Sequence, residues 1–119
     1  MRHVAKIEAV LRNWFVKPRW KTYAAQSGYV YQYVFDGLRG EDAYVFRAVS
    51  GTEIEMTLEV VLEVQALDAW VLENRALTEM ERYGVAKMAL MRALDLETVP
   101  GAIRPSGAEV VAICRELDL

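Results

Sequence analysis

In Tyr29-Val30-Tyr31-Gln32-Tyr33-Val34-Phe35 an aromatic ring stands at every odd position and a smaller or polar residue at every even one. Side chains on a strand point alternately to opposite faces, so this spacing predicts a strand with one aromatic face. Tyr44-Val45-Phe46-Arg47-Ala48-Val49 repeats the alternation. Glu53-Ile54-Glu55-Met56-Thr57-Leu58-Glu59-Val60 gives it a third time, and Leu62 and Val64 continue it. Asp36-Gly37 and Ser50-Gly51 are turn-forming pairs. Three strands joined by two short turns predict a three-stranded antiparallel meander. Its core face should carry Tyr29, Tyr31, Tyr33, Phe35, Tyr44, Phe46, Ile54, Met56 and Leu58. The opposite face should carry Gln32, Arg47, Glu53, Glu55, Thr57 and Glu59 among valines. A three-residue loop at Ser50-Gly51-Thr52 would set Arg47 opposite Glu55.

Before these strands, Val4, Ile7, Leu11 and Trp14 recur at helical spacing and predict an N-terminal helix at about 3–16. Pro18 disfavours helix at Lys17 and ends it. Residues 18–28 read as a connecting loop. After the strands, residues 59–65 fit either state; strand to about residue 62 and helix from Gln65 is the reading adopted. Leu67, Trp70 and Val71 place a short helix at about 65–74. Thr78 with Glu81, and Ser106 with Glu109, are capping boxes that open two further helices, the first running to about Leu94. Pro100-Gly101 and Arg104-Pro105 mark the loop between them. The expected architecture is a single α+β domain over residues 1–119. It has an N-terminal helix, a three-stranded antiparallel meander, then three helices packed on one sheet face.

Composition bounds the function. The chain has 119 residues, of which 54% are hydrophobic and 26% charged, so it is neither disordered nor of low complexity. A net charge of −3 argues against a strongly basic nucleic-acid binder. No apolar run reaches the ~18 residues of a membrane span, and the N-terminus lacks the apolar core of a signal peptide. With a single cysteine, Cys114, the expectation is a cytoplasmic protein without an intrachain disulfide. The apolar fraction exceeds the usual 45–50%, which fits a dense core or a subunit interface, and a homo-oligomer is expected.

Catalytic signals are sparse. His3 is the only histidine, which argues against a histidine triad or a multi-histidine metal site within one chain. Cys114 lies on an apolar helical face and reads as a packed thiol. No glycine-rich phosphate loop, dinucleotide fingerprint or nucleophile elbow occurs, so no cofactor is expected. Glu53, Glu55, Glu59 and Glu63 could attract a hard cation, but neighbours on one strand face stand ~7 Å apart, and a solvated face explains them better. No metal site is expected. Lys87 shares a stripe with Met80, Gly84, Met91 and Leu94; its methylenes should pack while the ammonium reaches solvent. Gly84 suggests close approach of another element, and Met80, Met88 and Met91 read as core filling. Ala86, Ala89 and Ala93 mark the helix as either the core helix or the seam of a dimer.

Charge is uneven. Residues 1–39 hold seven Lys/Arg against two acids, and residues 40–119 hold seven against fifteen. The basic part contains Arg12, Lys17, Arg19, Trp20 and Lys21, where cations interleave with aromatics as in single-strand binders. Three functions follow. The leading one is a non-enzymatic binding or assembly module acting through a protein-protein or homo-oligomer interface. The second is a weak nucleic-acid binder using segment 12–23. The third is a ligand-binding fold or enzyme with a pocket between the tyrosine-rich face and the helices, near Tyr31, Tyr33 and Lys87.

Overall fold

The structure is a computed structural model that describes residues 19–51 and 55–119. Five strands and three helices follow in the order β1 (Lys21–Ala24), β2 (Val30–Arg39), β3 (Ala43–Ser50), β4 (Met56–Val61), α1 (Val64–Val71), α2 (Glu79–Leu94), β5 (Ala102–Ile103) and α3 (Gly107–Glu116). The class is α+β, but the expected three-stranded meander is corrected to a five-stranded mixed sheet of order β1-β2-β3-β4-β5. The first four strands are antiparallel neighbours, and β5 runs parallel to β4 after the α1–α2 crossover. The helix expected at 3–16 lies outside the described residues, as do Glu53 and Ile54.

Two strands escaped the sequence reading for different reasons. β1 falls in the segment read as a loop. It is a four-residue edge strand with an exposed lysine, a composition that blunts sheet edges and weakens the strand signal. β5 has two residues, too few for any alternation; Glu59 N–H donates to the Gly101 carbonyl at 2.9 Å beside it. The turn expected at Asp36-Gly37 is instead a β-bulge. The register of β2 on β3 shifts between Phe35 and Gly37, Gly37 takes φ 112°, and the chain reverses only after Arg39. A glycine that tolerates positive φ serves a bulge as well as a turn, so the dipeptide could not distinguish them.

The core face is built from cross-strand rows. Tyr33–Ala48–Met56, Phe35–Phe46–Leu58 and Leu38–Tyr44–Val60 lie in register across β2, β3 and β4. Tyr31, Tyr33, Tyr44, Phe46, Ala48, Leu58 and Val60 are buried there against Val85, Ala86, Ala89 and Leu90 of α2. α2 lies across β4 and β5, while α1 and α3 pack chiefly against each other. Ala86, Ala89 and Ala93 are all buried in this core, which makes α2 the central helix. Both capping boxes form with reciprocal hydrogen bonds, Thr78 with Glu81 and Ser106 with Glu109.

On the opposite face, Arg47 stands opposite Thr57, not Glu55. Its guanidinium still reaches Glu55 at 3.5 Å and Asp36 at 3.4 Å, and it covers the Trp20 ring at 5.3 Å. Among the described residues no helix is long and apolar enough to cross a membrane.

Candidate binding groove

The bulge decides where the second half of β2 points. Strict alternation from Phe35 would turn Leu38 to the opposite face. One extra residue at Asp36 restores Leu38 to the Phe35 face, in register with Tyr44. Both side chains remain exposed, Leu38 at 56% and Phe35 at 36%.

A groove of about 970 Å³ opens beside these two side chains. One wall is Phe35, Leu38 and Tyr44 with the Gly40–Asp42 turn; the other is Val64, Leu67 and Leu62 with the first turn of α2, Glu79 to Tyr83. Its floor is a nest of rings. Phe35 meets Tyr83 edge-on at 5.0 Å, Phe46 at 5.3 Å and Tyr44 at 6.1 Å. Burial pushes the Tyr83 phenol above its ordinary pKa. On the rim, Val64 is 70% exposed and Met80 80%. Met80 is therefore a surface residue and not core filling, whereas Met91 is buried and Met88 packs against the core.

The mouth of the groove is acidic. Glu41, Asp42 and Glu79 line it, and none of the three pairs with a cation among the described residues. Arg82 also lines it, but its Nη1 donates to the Leu77 carbonyl at 3.0 Å and so is held on its own helix start. The described lining holds no histidine, cysteine or lysine. Such an arrangement can bury apolar side chains and hold a cation at its edge.

The residues singled out from sequence lie elsewhere. Arg12 and Lys17 are outside the described residues. Arg19 and Lys21 are exposed at the sheet edge and line a smaller hollow of about 250 Å³ with Tyr33, Phe35 and Tyr83. Trp20 is 37% exposed, with Arg47 stacked over its ring. Tyr31 and Tyr33 are buried at 5% exposure. Lys87 is half-buried, and its Nζ stands 5.9 Å from the Tyr33 ring centroid. The structure thus brings Lys87 and Tyr33 together, but neither lines the groove.

The acidic series is distributed among arginines: Glu55 with Arg47, Glu59 with Arg39 at 3.0 Å, and Glu63 with Arg104 at 3.6 Å. Among the described residues no three His, Cys, Asp or Glu side chains converge on a metal position. Cys114 is buried, and burial pushes its thiol pKa up. The groove residues Leu38, Val64 and Met80 were not legible as a set. The only local signal was Gly37, which permits the bulge. Comparison with protein-family models, curated proteins and solved structures finds no match for the chain.

Proposed function

We propose that this chain is a non-enzymatic binding module that takes an amphipathic protein segment in the groove between the β2–β3 hairpin and helices α1 and α2. One observation carries the reading. Phe35, Leu38, Val64 and Met80 are exposed apolar side chains from three different elements, and all line one hollow. Single apolar residues on a surface are ordinary, whereas a convergent set marks an interaction site. The aromatic floor is packed without a partner, so little side-chain ordering remains to oppose binding. Met80 adds a flexible, polarisable rim that adapts to what it covers. A helix laid in a groove by one apolar face is a recurrent mode of recognition, and the acidic mouth favours a helix flanked by Lys or Arg.

Selection of displayed peptides against the full chain tests this. Enriched sequences should be amphipathic with basic flanks and bind with micromolar Kd. Met80→Asp or Val64→Asp should weaken them at least tenfold while circular dichroism stays unchanged. Enrichment of peptides indifferent to both substitutions would sink the reading.

A further inference from the structure

We infer that the hollow bounded by Arg19, Lys21, Tyr33 and Tyr83 binds a phosphate monoester carried by the amphipathic segment that fills the groove. The phosphate site rests on its own geometry; its carrier rests on the groove reading.

The sheet edge and one helix bring the groups together. Lys21 is level with Tyr33 across β1 and β2, so both side chains stand on the face that meets α2. Arg19, two positions earlier, lines the hollow with them. Tyr83 and Lys87 are one turn apart on α2. Tyr83 completes the lining, and the Lys87 Nζ stands 5.9 Å from the Tyr33 ring centroid. Burial raises both phenol pKa values, and the Lys21 charge opposes that rise in each. Lys21, Tyr33 and Tyr83 are thus within electrostatic reach of one another.

These groups find no acceptor inside the fold. Tyr33 is 5% exposed, yet among the described residues no hydrogen bond satisfies its hydroxyl or that of Tyr83. Neither oxygen is sealed off. The buried side-chain polar atoms without a partner there are Ser27 Oγ, Arg47 Nε and Trp70 Nε1. Among the described residues Arg19, Lys21 and Lys87 make no ion pair, and no acid lines the hollow. Three cations and two phenol O–H donors fit an oxyanion. A phosphate monoester, with about −1.5 to −2 charges and three terminal oxygens at neutral pH, matches them better than a carboxylate.

The place of the hollow indicates what carries the phosphate. Phe35 and Tyr83 line the hollow and the groove alike. The acidic Gly40–Asp42 turn begins five positions beyond Phe35, about 16 Å along a strand or about eleven residues of helix. A segment seated in the groove therefore meets acids at one end and cations at the other. That fixes its direction, with Lys or Arg at one end and a phosphorylated side chain about three turns away. A nucleic-acid strand on the same path would meet Glu41, Asp42 and Glu79, and like charge disfavours it.

The test uses the full chain. Inorganic phosphate titrated into 15N-labelled protein should shift the Lys21, Tyr33 and Tyr83 amides saturably, with a Kd of ~0.1 mM. Tyr33→Phe should raise that Kd about tenfold and leave the melting curve unchanged, because its hydroxyl has no partner within the fold. At an effective concentration of about 1 mM, such a site adds about tenfold to a linked peptide. A groove-selected peptide with phosphoserine about eleven residues from its basic flank should therefore bind about tenfold tighter than its serine form. Arg19→Ala/Lys21→Ala should erase that gain and leave the serine form unaffected. A glutamate form as tight as the phosphoserine form would overturn the assignment to phosphate. A lowered melting curve in Tyr33→Phe would overturn the site. Tighter, Lys21-dependent binding of a short single-stranded oligonucleotide would overturn the carrier. Equal affinity of the phosphoserine and serine forms, with both still dependent on Met80, would overturn the inference and leave the groove reading intact. Phosphate binding without any selected peptide would overturn the groove reading and the carrier with it.

Discussion

Tyr23 ties the edge of the sheet to the end of α2. Its hydroxyl donates to Asp95 Oδ1 at 2.8 Å, and the Gln26 N–H donates to the same oxygen at 2.9 Å. Burial first, then the hydrogen bond and charge of Asp95, raise the phenol from 10.0 to about 12. A raised pKa means that the folded state favours the protonated form. Its contribution is complete below pH 10 and is lost as the pH climbs towards 12. Tyr23→Phe should lower stability by about 1.5–3 kcal/mol at pH 7, the usual worth of a hydrogen bond to a charged partner. The same variant should flatten the alkaline limb of a Tm-against-pH curve. An unchanged limb would show that β1 is held by its ladder alone. Glu81 behaves with the opposite sign. Two hydrogen bonds from Arg75, at 2.7 and 2.8 Å, and one from the Thr78 N–H depress its carboxyl to about 2. Its stabilisation is present above pH 4.5 and fades as the pH falls towards 2. In Glu81→Gln that acid limb of the Tm curve should be shallower.

At the scale of elements, two helical glycines make opposite predictions. A Cβ at Gly107 would stand 2.9 Å from the Ala69 Cβ, where α3 begins against α1. Neither methyl can rotate away, so Gly107→Ala must push the two helices apart. A loss of about 1–3 kcal/mol is expected, in spite of the gain in helix propensity. At Gly84 the nearest atom to a new Cβ is Leu117 Cδ1 at 3.6 Å, an ordinary contact. Leu117 does approach here, but with room for a methyl, and Gly84→Ala should stabilise by about 0.5–1 kcal/mol. Urea unfolding of the two variants reads both signs. The contrast shows what a sequence carries. The ends of α2 and α3 were readable because Thr78 with Glu81 and Ser106 with Glu109 are local grammar, complete within four residues. The aromatic core face was readable because its period is 2. β1, β5 and the bulge depend on partners 6 to 43 positions away along the chain, such as Tyr33 for Lys21 and Glu59 for Ala102. The groove is harder still, since Leu38, Val64 and Met80 meet only after the sheet has closed over α1 and α2.

For the whole molecule, the question is whether the exposed apolar rim is part of what keeps the domain folded. Val64 and Met80 stand 70% and 80% exposed, so little of either side chain leaves water on folding. Burial contributes roughly 25 cal/mol per Å² of apolar area removed from solvent. On that scale these two positions contribute little to folding. The core is carried instead by Phe46, Leu58, Val60, Val85, Leu90, Leu94 and Ile113, each exposed by at most 2%. The double variant Val64→Gln/Met80→Gln should therefore keep its melting temperature to within about 4 °C, as expected for surface substitutions of up to ~0.5 kcal/mol each. Retention on a hydrophobic-interaction column, by contrast, should fall for the double variant if the rim is available to solvent. A Leu58→Ala or Leu90→Ala change supplies the reference for a structural role, at about 2–5 kcal/mol. If the double variant instead melts as low as those two, the rim is part of the fold and the groove is not a free surface. Unchanged melting together with weaker retention is the expected result, because Val64 and Met80 stand on the exposed rim, whereas the groove residues shared with the core, Tyr44 and Leu62, are left in place.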